Sequence, residues 1–211
     1  MPVASILERA REVGLDVVAI TDHDSVAGGL EARELADRYG VRVVVGEEVK
    51  STEGEIVGLF LERTIPGGMS LADTIAAIRE QGGVVYLPHP FDRLHTIPEP
   101  AVLRAHVDEI DVVEVFNSRL AFPRFNEAAE RFAQRYRIPA AAGSDAHVLP
   151  GIGTALCGMD DFTGPRDFAA ALAESRIVRR PRSLVYLQSL KLLQTGLAPS
   201  GRPSGQEDFP A

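Results

Sequence analysis

A carboxylate and an imidazole stand two residues apart in the stretch GSDAH at residues 143–147, directly after the small apolar run 138–142. If the chain leaves regular β geometry there, Asp145 and His147 can point into one cleft, which is an arrangement that divalent metals use. Asp-x-His alone also occurs as an ordinary polar loop. The pair therefore predicts a metal site only if other ligand-type residues join it.

Earlier apolar runs also end at residues that can bind a metal or an anion. Those residues are Asp22, His23, Glu48, His89, Asn117 and Arg119. Each has a structural alternative: His23 can cap a helix, His89 between two prolines can be a rigid turn residue, and Asn117 can form a turn. Glu47 and Glu48 can both be solvated loop carboxylates, although the apolar strand before them favours one of them pointing inward.

Strand-like and helix-like segments alternate along the chain. Predicted strands cover 16–21, 41–45, 55–61, 84–87, 111–116, 138–142 and part of 151–158, and predicted helices cover 3–13, 26–39, 70–82, 99–106, 123–136, 165–175 and 184–194. Parallel neighbouring strands need crossovers, so this alternation predicts a parallel α/β sheet or barrel. The carboxyl ends of its strands share one rim, where we expect the candidate residues to meet.

Composition limits the remaining possibilities. A net charge of −8 argues against a broadly basic nucleic-acid surface, and the single Cys157 excludes an internal disulfide. No apolar run reaches the roughly 18 residues of a membrane span, so we expect a cytoplasmic protein with no membrane partner. We expect one domain over residues 1–197 and a disordered tail over 198–211, which is rich in Pro, Gly and Ser. The oligomeric state is not predicted.

The ordered motifs TDH at 21–23, GEE at 46–48, HP at 89–90 and GSDAH at 143–147 resemble the PHP family, the polymerase and histidinol phosphatase domain. The resemblance covers about residues 3–157 and is to the stand-alone phosphoesterases, which include nucleotide phosphatases and RNA-trimming exonucleases. It implies a distorted seven-stranded β/α barrel with two or three Zn, Mn or Fe ions at its mouth.

The resemblance also implies roles for individual residues. The implied metal ligands are His23, Glu48 as a bridging carboxylate, His89, Asp145 and His147. The implied catalytic residues are Asp22, His23, Glu48, Asp145 and His147, and Arg119 and Asn117 are the implied substrate-binding residues. His95 and His106 are predicted to be surface residues.

One motif of the family is missing from this sequence. Family members begin with a strand that ends in Asp-x-His-x-His, whereas the histidines here are at 23, 89, 95, 106 and 147, and no two form His-x-His. The resemblance therefore implies a barrel without its first strand, with the edge of the next strand exposed and fewer metals bound.

The chemistry that fits such a centre is hydrolysis of a phosphate ester, either of a small phosphorylated metabolite or at a nucleotide or oligonucleotide end. Metals about 3.5–4 Å apart bind phosphoryl oxygens and lower the pKa of water from about 15.7 to about 7. Two alternatives remain. The chain can be a catalytically impaired remnant that acts as a binding domain, or a metal-dependent hydrolase of C–N bonds.

Overall fold

The computed structural model describes residues 1–92, 97–180 and 183–196. Its helices are α1 (Val3–Glu12), α2 (Ala27–Tyr39), α3 (Leu71–Glu80), α4 (Pro100–Ala105), α5 (Pro123–Tyr136), α6 (Pro165–Ala173) and α7 (Leu184–Gly196). Its strands are β1 (Val17–His23), β2 (Arg42–Lys50), β3 (Glu55–Leu59), β4 (Val84–Leu87), β5 (Val112–Asn117), β6 (Ala140–Gly143), β7 (Ala155–Gly158) and β8 (Arg176–Arg179). Short 3₁₀ helices span Val107–Glu109 and Leu149–Gly151.

Six strands form one curled sheet in the order β1-β2-β3-β4-β5-β6, and β7 pairs with β8 in a separate antiparallel hairpin. The α/β prediction is confirmed. The main sheet of the described residues has six strands, the seven-stranded barrel without its first strand stays a prediction, and β8 was not predicted. The expectation of an all-parallel sheet was wrong at β3, which is antiparallel to both neighbours. The reason is local: four residues join β2 to β3, and a parallel crossover needs a dozen or more.

Strand β2 shows how the sheet sorts its side chains. Successive residues of a strand point to opposite faces. Val43 and Val45 accordingly pack in the large core beneath the helices, whereas Val44 packs with Val57 in a second cluster on the concave face. By the same alternation, Glu48 must share the concave face with Val44. The prediction that β2 stops before its glutamates was wrong, because β2 continues to Lys50 through pairing with β3.

Helix ends follow the expected chemistry in two places. Ser70 caps α3, since its Oγ accepts a hydrogen bond of 3.1 Å from the Asp73 backbone N–H. Gly40 ends α2 in a left-handed conformation with φ of 63°. Helix α1 begins at Val3, directly after Pro2.

None of the helices in the described ranges is long and apolar enough to cross a bilayer. His95 and the tail at 198–211 lie outside the described residues, so the predictions made for them stay predictions. His106 lies at the end of α4, where its Nδ1 is 2.8 Å from Glu109 Oε1.

Candidate metal centre

The register between β1 and β2 brings the first two candidate ligands together. The strands are parallel, and His23 lies opposite Glu48. Residues opposite each other on neighbouring strands point to the same face. His23 Nδ1 therefore lies 3.3 Å from Glu48 Oε2.

His89 reaches the same carboxylate from the far side. It follows β4 and Pro88, is buried, and places its Nε2 3.2 Å from Glu48 Oε1. Its φ is +24°, a conformation that non-glycine residues rarely adopt and that the surroundings must hold. Each oxygen of Glu48 thus faces a different histidine, and its role as a bridging carboxylate stays a prediction.

Asp145 and His147 lie in the loop after β6 and face this group. Asp145 has a φ of +45°, so the chain leaves β geometry there as expected. The rings of His23 and His147 have centroids 6.3 Å apart. Arg119 lies between the acid and the imidazole: its Nη1 is 2.8 Å from Asp145 Oδ2 and 2.9 Å from His147 Nδ1.

Asn117 ends β5 beside this loop. Its Nδ2 is 3.5 Å from Asp145 Oδ2, and its Oδ1 accepts a hydrogen bond of 2.8 Å from the Arg119 backbone N–H. Both predicted substrate-binding residues, Asn117 and Arg119, therefore border the predicted ligands. Their roles toward a substrate stay predictions.

Asp22 does not join the group in the expected way. It lies opposite Glu47 in the β1–β2 register, so its side chain points away from Glu48. A Cβ placed on Gly28 would overlap Asp22 Oδ2, which puts this carboxylate against the start of α2. Asp22 borders the cleft, but the geometry favours a structural role for it.

Glu47 is fully buried on the helix side of β2 and is not the solvated loop residue that the sequence allowed. Its Oε2 accepts a hydrogen bond of 2.9 Å from the Ile65 backbone N–H. Burial raises the pKa of Glu47, although this hydrogen bond opposes the shift. Of the two glutamates, Glu48 is therefore the one that faces the cleft.

Sequence reasoning missed Glu114, a buried carboxylate beneath the site. Its Oε2 accepts hydrogen bonds from the His89 backbone N–H (2.9 Å) and from Asn117 Nδ2 (3.0 Å), and its Oε1 accepts one from the Tyr86 hydroxyl (3.2 Å). Residues three apart on a regular strand point to opposite faces, but a bulge between Glu114 and Phe116 turns Glu114 and Asn117 to the same side. A carboxylate in the middle of the apolar run DVVEVF was the available signal.

Burial and neighbouring charges shift the pKa values of this group. Burial raises the pKa of Glu114, while the positive charge of His89 and the Asn117 hydrogen bond lower it. Burial lowers the pKa of His89, but its hydrogen bond to Glu48 and the charge of Glu114 outweigh that effect and raise the value to about 9. Burial also raises the pKa of Tyr86, so its hydroxyl keeps its proton and donates.

Glu55 was also missed. One oxygen each from Glu48 and Glu55 and one ring nitrogen of His89 lie within 4.8 Å of one another, and all three residues are buried. Sequence reasoning treated Glu55 only as the start of a strand, because its proximity to Glu48 depends on the antiparallel β2–β3 hairpin.

These side chains surround one cleft of about 1300 Å³, lined among others by His23, Glu48, His89, Asp145 and His147. Carboxylate and imidazole ligands in this mixture suit Zn²⁺, Mn²⁺ and Fe²⁺ better than Ca²⁺. The five predicted ligands are thus brought together, and their donor set fits a divalent-metal centre. Which of them bind an ion stays a prediction.

Comparison with known proteins agrees with this architecture. Residues 123–177 match the PHP-associated family. The chain is 45% identical over 116 residues to an uncharacterized protein of Methanocaldococcus jannaschii, covering 54% of this chain and 65% of that protein. It is 30% identical over 134 residues to a 5'-3' exoribonuclease of Haemophilus influenzae, covering 57% of this chain and 49% of that enzyme. The chain therefore spans about half to two thirds of the length of these curated relatives.

A solved structure shows a similar fold. It is a two-domain protein from Bacteroides vulgatus, described as containing a predicted PHP-like metal-dependent phosphoesterase. The TM-score is 0.69 with 16% sequence identity, over 85% of this chain and 60% of that chain. At this identity the likeness concerns the fold.

Proposed function

We propose that the chain is a metal-dependent phosphoesterase of the PHP family. Its substrate is a small phosphorylated metabolite or a nucleotide or oligonucleotide end. The observation that carries the proposal is the convergence of the five predicted ligands on one cleft beside Arg119. These are His23, Glu48, His89, Asp145 and His147.

The charge balance of the cleft supports a metal-dependent mechanism. Glu48, Glu55, Glu114 and Asp145 supply carboxyl groups around the site, whereas Arg119 supplies one guanidinium. Such a cleft repels a phosphate dianion unless bound cations reverse the local field. A divalent centre therefore explains how an acidic site receives an anionic substrate.

When bound, divalent ions supply Lewis-acid polarisation of a phosphoryl oxygen and lower the pKa of water toward about 7. Glu48 and the histidines would hold these ions. Glu114 fixes His89 by accepting the hydrogen bond from its backbone N–H. His147 Nδ1 is 3.0 Å from the Asp145 carbonyl oxygen, so its Nδ1–H can donate there and leave Nε2 directed to a ligand role.

Arg119 is the residue that would orient the substrate. A guanidinium presents a planar fork of N–H donors that matches two phosphate oxygens, and Lys cannot reproduce this geometry. A phosphate bound in this way would lie beside the predicted metal ligands Asp145 and His147, which Arg119 contacts. Hydrolysis at that position needs neither a Ser nor a Cys nucleophile.

Finer features belong to the same proposal. The six-stranded sheet is the larger part of a seven-stranded PHP barrel, and residues 1–197 form one domain. The protein acts in the cytoplasm on a small substrate or nucleic-acid end, and its net charge of −8 disfavours stable binding to long nucleic acid.

The experiment that tests this function is a turnover assay of the purified protein with added Mn²⁺, Zn²⁺ or Fe²⁺. The panel contains phosphate monoesters, phosphodiesters, 5'-phosphorylated oligonucleotides, and lactams and amides. Glu48→Gln should lower turnover about 100-fold or more, since removal of supporting groups alone costs about 10–100-fold. Glu47→Gln is the matched control, because the buried Gln oxygen can still accept from Ile65 N–H, and its turnover should stay near wild type.

Two outcomes would contradict the proposal. Metal-loaded protein without turnover of any phosphate ester would favour a binding domain. Turnover confined to lactams or amides would favour a C–N hydrolase.

A further inference from the structure

Glu55 is held in place by the β2–β3 turn. It lies opposite Lys50, two residues before Val57, which lies opposite Glu48. The two glutamates therefore share the concave face of the sheet. Ser51 Oγ accepts a hydrogen bond of 3.1 Å from the Gly54 backbone N–H and so closes the turn.

We propose, building on the function proposed above, that Glu48, Glu55 and His89 form a buried position for a divalent cation, in which Glu55 is a ligand. Their donor atoms lie within 4.8 Å of one another, so small side-chain adjustments bring them to the ligand distances of about 2.0–2.2 Å that such ions need. Two carboxylates and one imidazole suit Mn²⁺, Fe²⁺ and Zn²⁺. These three residues are called the inner set.

A second, outer set consists of His23, Asp145 and His147. The inner side chains of Glu48 and His89 are 11% and 4% exposed, and Glu55 is 8% exposed as a whole residue. The outer side chains are 59%, 18% and 32% exposed. An ion in the inner set is therefore shielded from water and chelators, whereas an ion in the outer set is open to both. The inner set retains its ion, and the outer set exchanges it.

Charge leads to the same order of retention. Burying two carboxylates close together costs free energy unless cations or hydrogen-bond donors compensate them. A divalent cation held by Glu48 and Glu55 would compensate both carboxylates, and His89 would supply a nitrogen ligand. The inner set therefore gains more from a cation than the hydrated outer set does.

The test is metal retention without any substrate. Protein loaded with Zn²⁺ or Mn²⁺ is dialysed against EDTA, and ions per chain are measured by mass spectrometry. Wild type should keep about one ion after the exchangeable metal has gone, and Glu55→Gln should lose it at least about tenfold faster. Glu53→Gln removes a charge from the same hairpin at a half-buried residue, and its amide oxygen can still accept the hydrogen bond from the Leu71 backbone N–H, so this variant should retain the ion. Asp145→Ala should also retain it.

Equal retention by Glu55→Gln and wild type would overturn the proposal, as would loss of the resistant ion in Asp145→Ala. Folding is checked by circular dichroism in EDTA. If Glu55→Gln does not fold, X-ray absorption of the EDTA-resistant Zn²⁺ in the wild-type protein tests the proposal instead. The inner set predicts an oxygen-rich shell with one imidazole, and two or more imidazoles would contradict it.

These readouts are separate from catalysis. A resistant inner ion in a protein without phosphoesterase turnover would refute the proposed function and leave this inference standing. An active enzyme that retains its EDTA-resistant ion equally well in Glu55→Gln would refute this inference and leave the proposed function standing.

Discussion

Replacing Arg119 with glutamine should tighten divalent-ion binding at the outer set while weakening turnover of phosphate esters. The guanidinium holds Asp145 Oδ2 at 2.8 Å and approaches His147 Nδ1 to 2.9 Å. It therefore occupies the space between two predicted ligands, as a cation would. A metal that binds both residues must first displace Arg119 from them.

The size of this effect follows from the contact that is broken. Arg119 and Asp145 are each 18% exposed, so solvent screens their ion pair only partly. Hydrogen bonds to charged groups contribute about 1.5–3 kcal/mol net. About 1.4 kcal/mol is tenfold in an equilibrium constant, so the Kd for the outer ion should fall roughly tenfold or more in Arg119→Gln.

The tautomer of His147 also favours tighter metal binding in Arg119→Gln. A neutral imidazole cannot accept from Arg119 and donate to the Asp145 carbonyl at the same nitrogen. Without the guanidinium, Nδ1–H can donate to that carbonyl, 3.0 Å away, and Nε2 can bind the ion. Arg119 thus opposes metal binding but would hold the substrate phosphate once a metal has displaced it.

The assay pairs calorimetric titration with Mn²⁺ and steady-state kinetics on the best phosphate ester. Arg119→Gln should show the lower Kd together with a kcat/KM reduced by about 100-fold, the equivalent of about 2.7 kcal/mol. Arg124→Gln is the matched control, because Arg124 stacks over the rings of Phe122 and Phe125 and its loss removes the same charge nearby. A weaker metal affinity in Arg119→Gln would refute this prediction, because it would show that Arg119 holds Asp145 and His147 in place for the metal.

Two further predictions concern stability and pH. Gly143→Ala should lower the free energy of unfolding in urea by about 1–3 kcal/mol, because the new Cβ would overlap Glu114 Oε1. In the control Gly158→Ala the new Cβ would lie 3.7 Å from the Arg176 carbonyl oxygen, an ordinary contact, so the unfolding midpoint should stay near that of wild type. Equal midpoints of the two variants would contradict this prediction. The pKa of His89, raised from 6.5 to about 9, stabilises the metal-free fold fully below pH 6.5, and this contribution is lost as the pH rises through 9. In EDTA, the Tm advantage of wild type over His89→Gln should therefore shrink between pH 6 and pH 9.5, and a constant difference would contradict the assignment.

The sequence was sufficient to predict which strands bring the candidate ligands His23, Asp145 and His147 to one rim. Asp145 and His147 follow a small apolar run, and His23 ends a β-branched one, so the rim of the sheet could be inferred from the order of strands. Parallel topology then brings distant residues to one edge. This inference needed no side-chain geometry.

The parts that were missed depend on pairing that hydrophobic patterns do not show. Glu114 faces the site because of a bulge in β5, and Glu55 does so because a four-residue turn makes β3 antiparallel. Glu48 lies inside β2 because backbone pairing with β3 continues through Gly46, where the apolar pattern stops. Hydrogen-bonded pairing does not require apolar side chains, so the end of β2 could not be read from them.

The central claim is that one divalent ion binds at the Glu48 carboxylate, beside His89. Crystals grown with Mn²⁺ and measured for anomalous scattering test it most directly. We expect an anomalous peak about 2.0–2.5 Å from a Glu48 oxygen and from His89 Nε2. A map with no peak at Glu48, or with its manganese on another face of the protein, would contradict it.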